Sequence, residues 1–473
     1  MERLSGLDAS FLYLETPNMH MHVLAVSVFD PTTVPEGYSF ENVRGMIESR
    51  LHLVPPFRRR LAAVPFNLNH PVWVEDPDFD LDYHVRRIGL PAPGTEEQLA
   101  ELAGDIAGRP LDRTRPLWEM WVVEGLENGH LATVSKMHHC TIDGVSGANM
   151  LVHLLDLEPS PPPKPAPEEE WRPERIPSDL ELAGYAMISR TRRPLQYARV
   201  AFSTVQSLVN FATTRFRREG PGMAAPLTAP RTSINTTVTP HRKVAFSRIP
   251  LDEVKAVKNA TGTKVNDVVL AVCAGALRRY LEQRGELPDR SLLATVPVSV
   301  RADDGDDTPG ANKVSAMFTS LATDVDEPLE RLQRIAEANK GAKEEHKAIG
   351  AKMLQQWTDL AAPNTWSLAM RLYANMKLAQ RHPVIHNLVI SNVPGPQIPL
   401  YFAGGKLLAL YPLGPVFDGA ALNVTVLSYL DTLHWGFIAG REAMPGLWDL
   451  ANAIPDALAE LSKAVDAVSA PST

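Results

Sequence analysis

Two apolar-rich runs in the first half of the chain have the pattern of neighbouring β-strands. They span residues 117–123 and 130–138, and Glu127-Asn128-Gly129 separates them. Asn-Gly between two such runs is the strongest short-range signal for a β-hairpin. Beyond the second run, apolar residues recur at helical spacing, at Ala148, Leu151, Val152 and Leu155. The pattern predicts a hairpin whose second strand turns sharply into a helix.

The second half of the chain continues with alternating strand and helix patterns. Strands are predicted at residues 243–249, 292–300, 387–393 and 407–411, and a second hairpin joins 422–430 to 433–438. Helices are predicted at residues 265–281 and around 329–335. Strands and helices therefore alternate in both halves, which favours an α/β fold of two related sandwiches.

A proline-rich, acidic stretch at residues 158–177 separates the two halves. Proline fixes the backbone and removes hydrogen-bond donors, so this stretch is expected to be an extended connector. A length of 473 residues also suggests two domains. We therefore predict an N-terminal domain at 1–157, a connector at 158–240 with a basic helical part, and a C-terminal domain at 241–473.

Composition excludes several classes of function. The formal charge of −8 and the aromatic content of 7% argue against a nucleic-acid-binding protein. No run approaches the roughly 20 apolar residues that a membrane-spanning helix needs. The N-terminus, Met1-Glu2-Arg3, does not read as a signal sequence. The chain is expected to be cytoplasmic, or at most bound to the surface of a membrane or a lipid droplet.

The predicted strand-to-helix corner carries the candidate chemistry, in the run His138-His139-Cys140-Thr141-Ile142-Asp143-Gly144. A neutral imidazole there can take a proton from an alcohol while that group attacks an acyl carbon. Successive residues of a strand point to opposite faces, so one histidine is expected to face a cleft and the other the packed interior. No serine or cysteine nucleophile is needed.

Two other interpretations of this run are weaker. Cys140 adjoins His139, but neighbouring side chains at a strand end diverge and seldom form a thiolate–imidazole pair, so Cys140 is expected to be a small packed residue. For the same reason His138, His139 and Asp143 are not expected to bind one metal ion. Cys140 and Cys273 are the two cysteines of the chain, too few for a cysteine-rich zinc site.

The HHxxxDG pattern of this run resembles the signature of acyltransferases with the chloramphenicol acetyltransferase fold. Further segments resemble the wax ester synthase/diacylglycerol acyltransferase family. In chain order these segments are Leu4 to Phe11, Met19 to Val23, Arg115 to Glu119, Val265 to Leu270, Val296 to Arg301, Gly310 to Ser315, and Ser391 to Pro396. The resemblance covers residues 4 to about 440, and it departs from the family pattern at the inserted Ala311.

The resemblance implies a fold and a set of roles. The fold would be two chloramphenicol acetyltransferase-like α/β sandwich domains with a shared central cleft or tunnel. His139 would be the general base and His138 a supporting residue, while Asp143 would brace the loop and Gly144 would form the turn. The resemblance implies no cofactor and no metal. Acyl-CoA, the acyl donor, would be a substrate.

Three polar residues of the second half are further candidates. The Asn266-Asp267 pair is important for activity in the family, and an asparagine amide can donate to an oxyanion. Asn266 directly precedes an apolar helical run, so a helix N-cap is an equally good interpretation. Asp267 fits helix-start electrostatics and is a second substrate-binding candidate. Asn392 is a weaker substrate-binding candidate at the tunnel mouth, and Trp118 is expected in the core.

The function that follows is an acyl-CoA-dependent O-acyltransferase. Its substrates would be a long-chain acyl-CoA and diacylglycerol, with long-chain alcohols as a second acceptor class. One alternative is a condensation-type enzyme that takes its acyl group from a carrier protein. Another is a catalytically silent lipid-binding protein of droplet surfaces, against which the intact HHxxxDG speaks.

Residues 186–218 mix arginines with apolar residues. This composition suits a helix lying on an anionic lipid surface. It fits equally well an interdomain helix whose arginines are only solvated. Replacing Arg215, Arg217 and Arg218 by Gln is expected to weaken binding to anionic liposomes if the first interpretation holds.

Overall fold

Two six-stranded β-sheets carry most of the helices of this chain. The computed structural model describes residues 2–141, 153–162, 164–165, 171–191, 224–225, 227–299, 314–349 and 363–469. The helices of this part are α1 (Gly6–Leu14), α2 (Phe40–Arg50), α3 (Leu81–His84), α4 (Glu96–Ala107), α5 (Asp179–Thr191), α6 (Leu251–Thr261), α7 (Val265–Glu282), α8 (Pro328–Ile349), α9 (Pro363–Asn375) and α10 (Leu447–Ser469).

The strands follow the same chain order. They are β1 (Glu2–Arg3), β2 (His22–Asp30), β3 (Arg59–Ala62), β4 (Val72–Glu75), β5 (Val85–Gly89), β6 (Trp118–Glu124), β7 (Leu131–His138), β8 (Arg242–Pro250), β9 (Leu293–Ser299), β10 (Val314–Ser320), β11 (Leu388–Val393), β12 (Tyr401–Phe402), β13 (Gly405–Leu413), β14 (Leu422–Tyr429) and β15 (Thr432–Gly440). Strands β1, β4 and β3 form a small third sheet. The mixed α/β class is confirmed.

The first sheet has the strand order β12-β13-β2-β7-β6-β5. Its β6–β7 hairpin is the one predicted from the Asn-Gly signal. Asn128 and Gly129 have φ angles of 62° and 72°. This is the left-handed region that Asn and Gly tolerate best, so the two residues reverse the chain with little strain.

The second sheet has the order β10-β9-β11-β14-β15-β8. Its β14–β15 hairpin is the predicted one, but it turns at Leu430 and Asp431, one residue earlier than the predicted Asp431-Thr432. Strand β11 runs parallel to both β9 and β14, so its connections cross the sheet. Helices α7, α8 and α10 pack against one another and against this sheet. The predicted strands at 243–249, 292–300 and 387–393 and the helix at 265–281 are confirmed to within a few residues.

The two halves of the chain are joined by a crossing strand. Strand β13 comes from the second half, yet it pairs antiparallel with β2 of the first half, with Leu413 opposite Leu24. Its Tyr411 ring stacks on Phe246 of the second sheet at 4.3 Å. At Gly436 a Cβ would lie 2.0 Å from the Pro412 carbonyl oxygen. The two sheets therefore meet closely along β13 and β15.

One large apolar cluster contains residues of both halves, including Val26 and Val134 of the first sheet and Val424 and Phe437 of the second. Trp118 belongs to a second cluster, and its indole N–H donates to the Phe57 carbonyl oxygen at 2.9 Å. The expectation that Trp118 is a core residue is confirmed.

The predicted connector is described in part. It contains helix α5, and its last residues pack with the second half, where Ile234 and Val238 are buried. The Asn235 amide donates to the Gly419 carbonyl oxygen at 2.8 Å. The helix predicted after residue 144 and most of the basic segment 186–218 lie outside the described residues.

Within the described ranges, no helix has both the length and the apolar character that crossing a bilayer requires.

Candidate active site

The candidate corner begins where strand β7 ends. The His138 N–H donates to the Leu117 carbonyl oxygen at 3.0 Å, and the His139 N–H donates to that of Met21 at 2.8 Å. The Thr141 N–H then donates back to the His138 carbonyl oxygen at 2.9 Å, which closes a turn. Both neighbouring strands thus hold this turn. Asp143 and Gly144, predicted to brace and turn the loop, lie outside the described residues.

The two histidine rings differ in burial and in their contacts, and both lie against the first helix or its end. His138 is 1% exposed, and its Nδ1 accepts the Cys140 N–H at 3.1 Å. In a neutral ring the proton is therefore on Nε2. His139 is partly exposed, and its ring stacks on Phe11 of α1 at 4.2 Å. His139 is thus the more exposed of the two rings.

Glu15, at the end of α1, organises the buried side of the corner. Its Oε1 lies 3.3 Å from His138 Nε2 and 3.7 Å from His22 Nε2, and it accepts the Met21 N–H at 2.8 Å. Its Oε2 lies 2.5 Å from the Arg113 guanidinium. The carboxylate therefore connects the end of α1, the start of β2 and the end of β7.

The charge states of this cluster follow from burial and neighbours. Burial raises the pKa of the Glu15 carboxyl, but His138 and the charge of Arg113 outweigh it and hold that pKa well below its usual range. Burial lowers the pKa of both His20 and His22, so these rings are neutral near pH 7. The cluster thus combines an ionised carboxylate, the charge of Arg113 and the neutral imidazoles of His20 and His22.

Glu15, His20 and His22 have the ligand types of a metal site. One ligand atom from each lies within 4.8 Å of the others. Two imidazoles and a carboxylate suit zinc or iron. However, Glu15 Oε1 already accepts the Met21 N–H, and Arg113 already matches the charge of the carboxylate. A divalent ion would leave excess positive charge in a buried site, so this arrangement is better suited to positioning His138.

Cys140 is buried against Leu4, Ala9 and Leu12. Burial raises the pKa of its thiol well above the usual range. A thiol in this state is a poor nucleophile, because the thiolate is the reactive form. The interpretation of Cys140 as a packed small residue is confirmed.

The second group of candidates lies where α7 meets β11. The Asn392 amide donates to Asn266 Oδ1 at 3.4 Å. Helix α7 begins at Val265 with Lys264 as its N-cap residue, so the interpretation of Asn266 as the N-cap is wrong. An asparagine whose oxygen accepts in this way keeps its NH₂ group as a donor. Asn266 and Asn392 are both partly exposed.

Asp267 is buried and engaged on both carboxylate oxygens. Oδ2 accepts the Lys264 N–H at 3.0 Å, and Oδ1 accepts the Asn339 amide at 2.7 Å. The first contact is that of a helix-start carboxylate, as the electrostatic interpretation expected. The alternative role of Asp267 as a substrate-binding residue stays a prediction.

The histidine group and the asparagine group border the same apolar clusters. Phe11, which stacks on His139, and Val265, next to Asn266, both pack on the large cluster that spans the two halves. Val393, next to Asn392, packs on the second cluster, which contains Met137 beside His138. The motifs from the two halves of the chain therefore border apolar clusters that contain residues of both halves.

The sequence did not assign Glu15 or Arg113 to the site. Their contacts join residues 98 and 123 positions apart along the chain, and no periodicity marks such pairs. His20 and His22 were noted only as part of a resembling segment. A signal was present, because histidines two residues apart at the start of a strand share one face.

Comparison with known proteins finds relatives of one family along nearly the whole chain. The sequence profile of the wax ester synthase/diacylglycerol acyltransferase catalytic domain matches residues 4–269, and that of the WS/DGAT C-terminal domain matches residues 310–462. A Mycobacterium tuberculosis protein provisionally named a diacylglycerol O-acyltransferase is 42% identical over 467 residues, covering 98% of this chain and 91% of its own. A second such protein of that species is 36% identical, covering 100% of this chain and 99% of its own.

A solved structure of the same family also matches this chain. The wax ester synthase/diacylglycerol acyltransferase of Marinobacter aquaeolei VT8 superposes with a TM-score of 0.67 at 30% identity, over 98% of this chain and 100% of that one. The first condensation domain of the calcium-dependent antibiotic synthetase superposes with a TM-score of 0.55 at 15% identity, over 98% of this chain and 95% of that one. The second likeness is one of fold alone.

Proposed function

Because the chain belongs to the wax ester synthase/diacylglycerol acyltransferase family and is an acyltransferase, we propose that it esterifies diacylglycerol with a long-chain acyl group taken from acyl-CoA. Long-chain alcohols are a second acceptor class. The observation that carries the proposal is His139, a partly exposed imidazole that follows strand β7 and stacks on Phe11. The proposed lipid substrates favour action at a membrane or droplet surface.

In the proposed mechanism His139 is the general base. It removes the acceptor hydroxyl proton while the hydroxyl oxygen attacks the thioester carbonyl carbon. The carbon–sulfur bond then breaks, and the imidazolium returns the proton to the departing thiolate of coenzyme A. The stacking of His139 on Phe11 supports this role, because it fixes the ring plane before the acceptor arrives. No residue is acylated, in keeping with the buried state of Cys140.

The remaining roles are part of the same proposal. Asn266 donates its amide to the oxyanion of the tetrahedral intermediate, and Asn392 orients that amide through their hydrogen bond. His138 supports the corner from its buried side. Asp143 braces the loop and Gly144 turns it, as the family resemblance implies.

The activity is tested with purified protein, radiolabelled palmitoyl-CoA and either dipalmitoylglycerol or hexadecanol, the products being separated by thin-layer chromatography. Labelled triacylglycerol is the expected product. A parallel reaction supplies the same acyl group on acyl carrier protein. Transfer from the carrier protein but not from coenzyme A would support the condensation-type alternative, and no transfer from either donor would support a silent lipid-binding protein.

Replacing His139 by Ala tests the base. Turnover is expected to fall by at least ~100-fold, since this is the usual contribution of a general base. The far-ultraviolet circular dichroism and the melting temperature are expected to stay close to those of the wild type, because the ring is partly exposed. His241→Ala, at an exposed position outside the corner, is the matched control. Near wild-type turnover by a folded His139→Ala protein would remove the mechanism.

A further inference from the structure

One end of the molecule exposes large apolar side chains from three neighbouring elements. We call it the α5–α9 surface and define it by the outward side chains of α5, of the short turn Pro65–Asn67, and of α9 with the residue that follows it. Its members are Phe66, Leu180, Tyr185, Met187, Trp366, Leu368, Leu372 and Met376.

Helix α9 contributes an apolar stripe that faces outward. Leu368, Leu372 and Met376 are spaced four residues apart, so they lie on one side of the helix, and they are 49–59% exposed. The helix packs elsewhere on α1, which is the helix that carries Phe11. An amphipathic helix normally buries its apolar stripe, so this exposed one indicates a partner.

Helix α5 also has one apolar side that is buried and another that is exposed. Its Leu182 and Ala186 are buried against Val72 and Val74 of the small sheet. Its opposite side carries Leu180 and Met187, which are 84% and 66% exposed. The inner face alone is enough to attach α5 to the protein, which leaves the outer apolar residues free to meet something else.

Phe66 lies between the two helices and is the most prominent member of the surface. It is 86% exposed and sits at a φ of 54° in the turn Pro65–Asn67. That turn contacts α5. On its other side, Asn67 and the Phe66 carbonyl oxygen exchange hydrogen bonds with the Asn364 amide at the start of α9. The three apolar groups are therefore parts of one continuous surface.

The charged residues in and just after α9 are all positive. Residues 363–382 include Arg371, Lys377 and Arg381 and contain no acidic residue, although the whole chain has a net charge of −8. Exposed apolar side chains flanked by cations are the pattern of a protein segment that lies in the headgroup region of anionic lipids.

We propose that the α5–α9 surface docks the protein on an anionic phospholipid bilayer, with Phe66 and the α9 stripe inserted among the headgroups. The inference goes beyond the proposed function and does not depend on it. It places the main anchor on this surface and not on the arginine-rich residues 192–218, which lie outside the described residues. Because α9 packs on α1, docking would bring the bilayer one helix away from Phe11 and His139.

The test is flotation of the full-length protein with vesicles of phosphatidylcholine, with or without phosphatidylglycerol. The surface variant is L368Q/L372Q/M376Q, in which Gln keeps a good helix propensity. The control variant is I398Q/L408Q/V468Q, which removes exposed apolar residues from other parts of the fold. Wild type and control are expected to float with phosphatidylglycerol vesicles, and the surface variant is expected to lose at least ~10-fold in partition coefficient.

Two further variants separate this anchor from others. Phe66→Asn keeps a residue that tolerates the left-handed backbone and is expected to weaken flotation by itself. R215Q/R217Q/R218Q is expected to float nearly as well as the wild type. All variants are expected to retain activity on detergent-dispersed substrate, so a failure of docking is distinguishable from a failure of the proposed function.

Trp366 reports insertion directly. Vesicles of brominated phosphatidylcholine and phosphatidylglycerol are expected to quench tryptophan fluorescence more in the wild type than in Trp366→Phe, because Trp366 lies on the docked helix. Three outcomes would overturn the proposal. They are equal flotation of the surface variant and the wild type, loss of flotation confined to the arginine variant, and a wild type that floats with neither vesicle.

Discussion

Glu15 is the residue through which the first helix acts on the catalytic corner. Its carboxylate lies 3.3 Å from His138 Nε2, while His138 Nδ1 accepts the Cys140 N–H. The ring of His138 is thereby fixed at both nitrogens, and so is the backbone that presents His139. A displacement of about 1 Å at a reacting group costs roughly 100-fold in rate. We therefore propose that Glu15 is a positioning residue for His139, the base of the proposed mechanism.

Replacing Glu15 by Gln tests this role. The change removes the negative charge but keeps the side-chain length, and it is expected to lower kcat by roughly 10- to 100-fold with a nearly unchanged KM. Glu119→Gln is the matched control. The Glu119 carboxylate pairs with the buried Lys136 of the same sheet at 2.6 Å, whereas it is Glu15 that pairs with His138. Steady-state kinetics and urea unfolding are measured on both. If both variants lose kcat only in proportion to their lost stability, Glu15 has no positioning role.

Asn266 and Asp267 are adjacent but have separable roles. Asn266→Ala is expected to reduce the chemical step by roughly 100-fold with little change in the melting temperature, because in the proposed mechanism its amide donates to the oxyanion. Asp267→Ala is expected to cost about 1–3 kcal/mol in the free energy of unfolding, because it removes a helix-start contact and leaves the Asn339 amide unpaired. Single-turnover rates and thermal unfolding distinguish the two. If Asn266→Ala lost stability but kept the rate of the chemical step, the oxyanion role would be rejected.

At the scale of the elements, the crossing strand β13 fixes how close the two sheets come. Gly436→Ala would place a Cβ 2.0 Å from the Pro412 carbonyl oxygen, a backbone atom that cannot turn aside. The variant is expected to lose about 3 kcal/mol in the free energy of unfolding, at the upper end for overpacking. Gly45→Ala is the control, since nothing lies within 4 Å of that position in α2, and it is expected to be stabilising by about 0.5–1 kcal/mol. Urea titrations give both values, and an unchanged Gly436→Ala midpoint would contradict the close approach.

The sequence predicted those elements whose signals are local. Asn128-Gly129 identified the β6–β7 hairpin, and the apolar run after Lys264 identified α7. The pairing of β13 with β2 was not predictable in this way, because periodicity does not specify which strand lies beside which. The placement of Glu15 beside His138 depends on that same long-range assembly.

The N-cap of α7 shows a second limit. Both Asn266 and Lys264 precede the apolar run, and polar-residue preference favoured Asn266. In the structure the helix begins two residues earlier than that preference required, and the carboxylate of Asp267 completes the contact from inside the first turn. Helix ends depend on tertiary partners, here Asn339, so the boundary could not be settled from local sequence.

At the scale of the whole molecule, several histidines are buried in the neutral state. Burial lowers the pKa of His20, His22 and His84, and it lowers the pKa of His386 and His434 to about 4. An unfolded histidine has a pKa near ~6.5. Below that value the unfolded chain binds more protons than the folded protein, so the free energy of unfolding falls as the pH falls.

The folded protein is therefore expected to lose several kcal/mol of stability between about pH 7 and about pH 5. His434 is 2% exposed, and with a folded pKa of about 4 it accounts for about 2 kcal/mol of the loss at about pH 5. His434→Gln, which cannot be protonated, is expected to show a decrease in the free energy of unfolding that is smaller by that amount. Urea unfolding at a series of pH values measures both slopes. Parallel slopes for the variant and the wild type would show that His434 does not titrate as its burial requires.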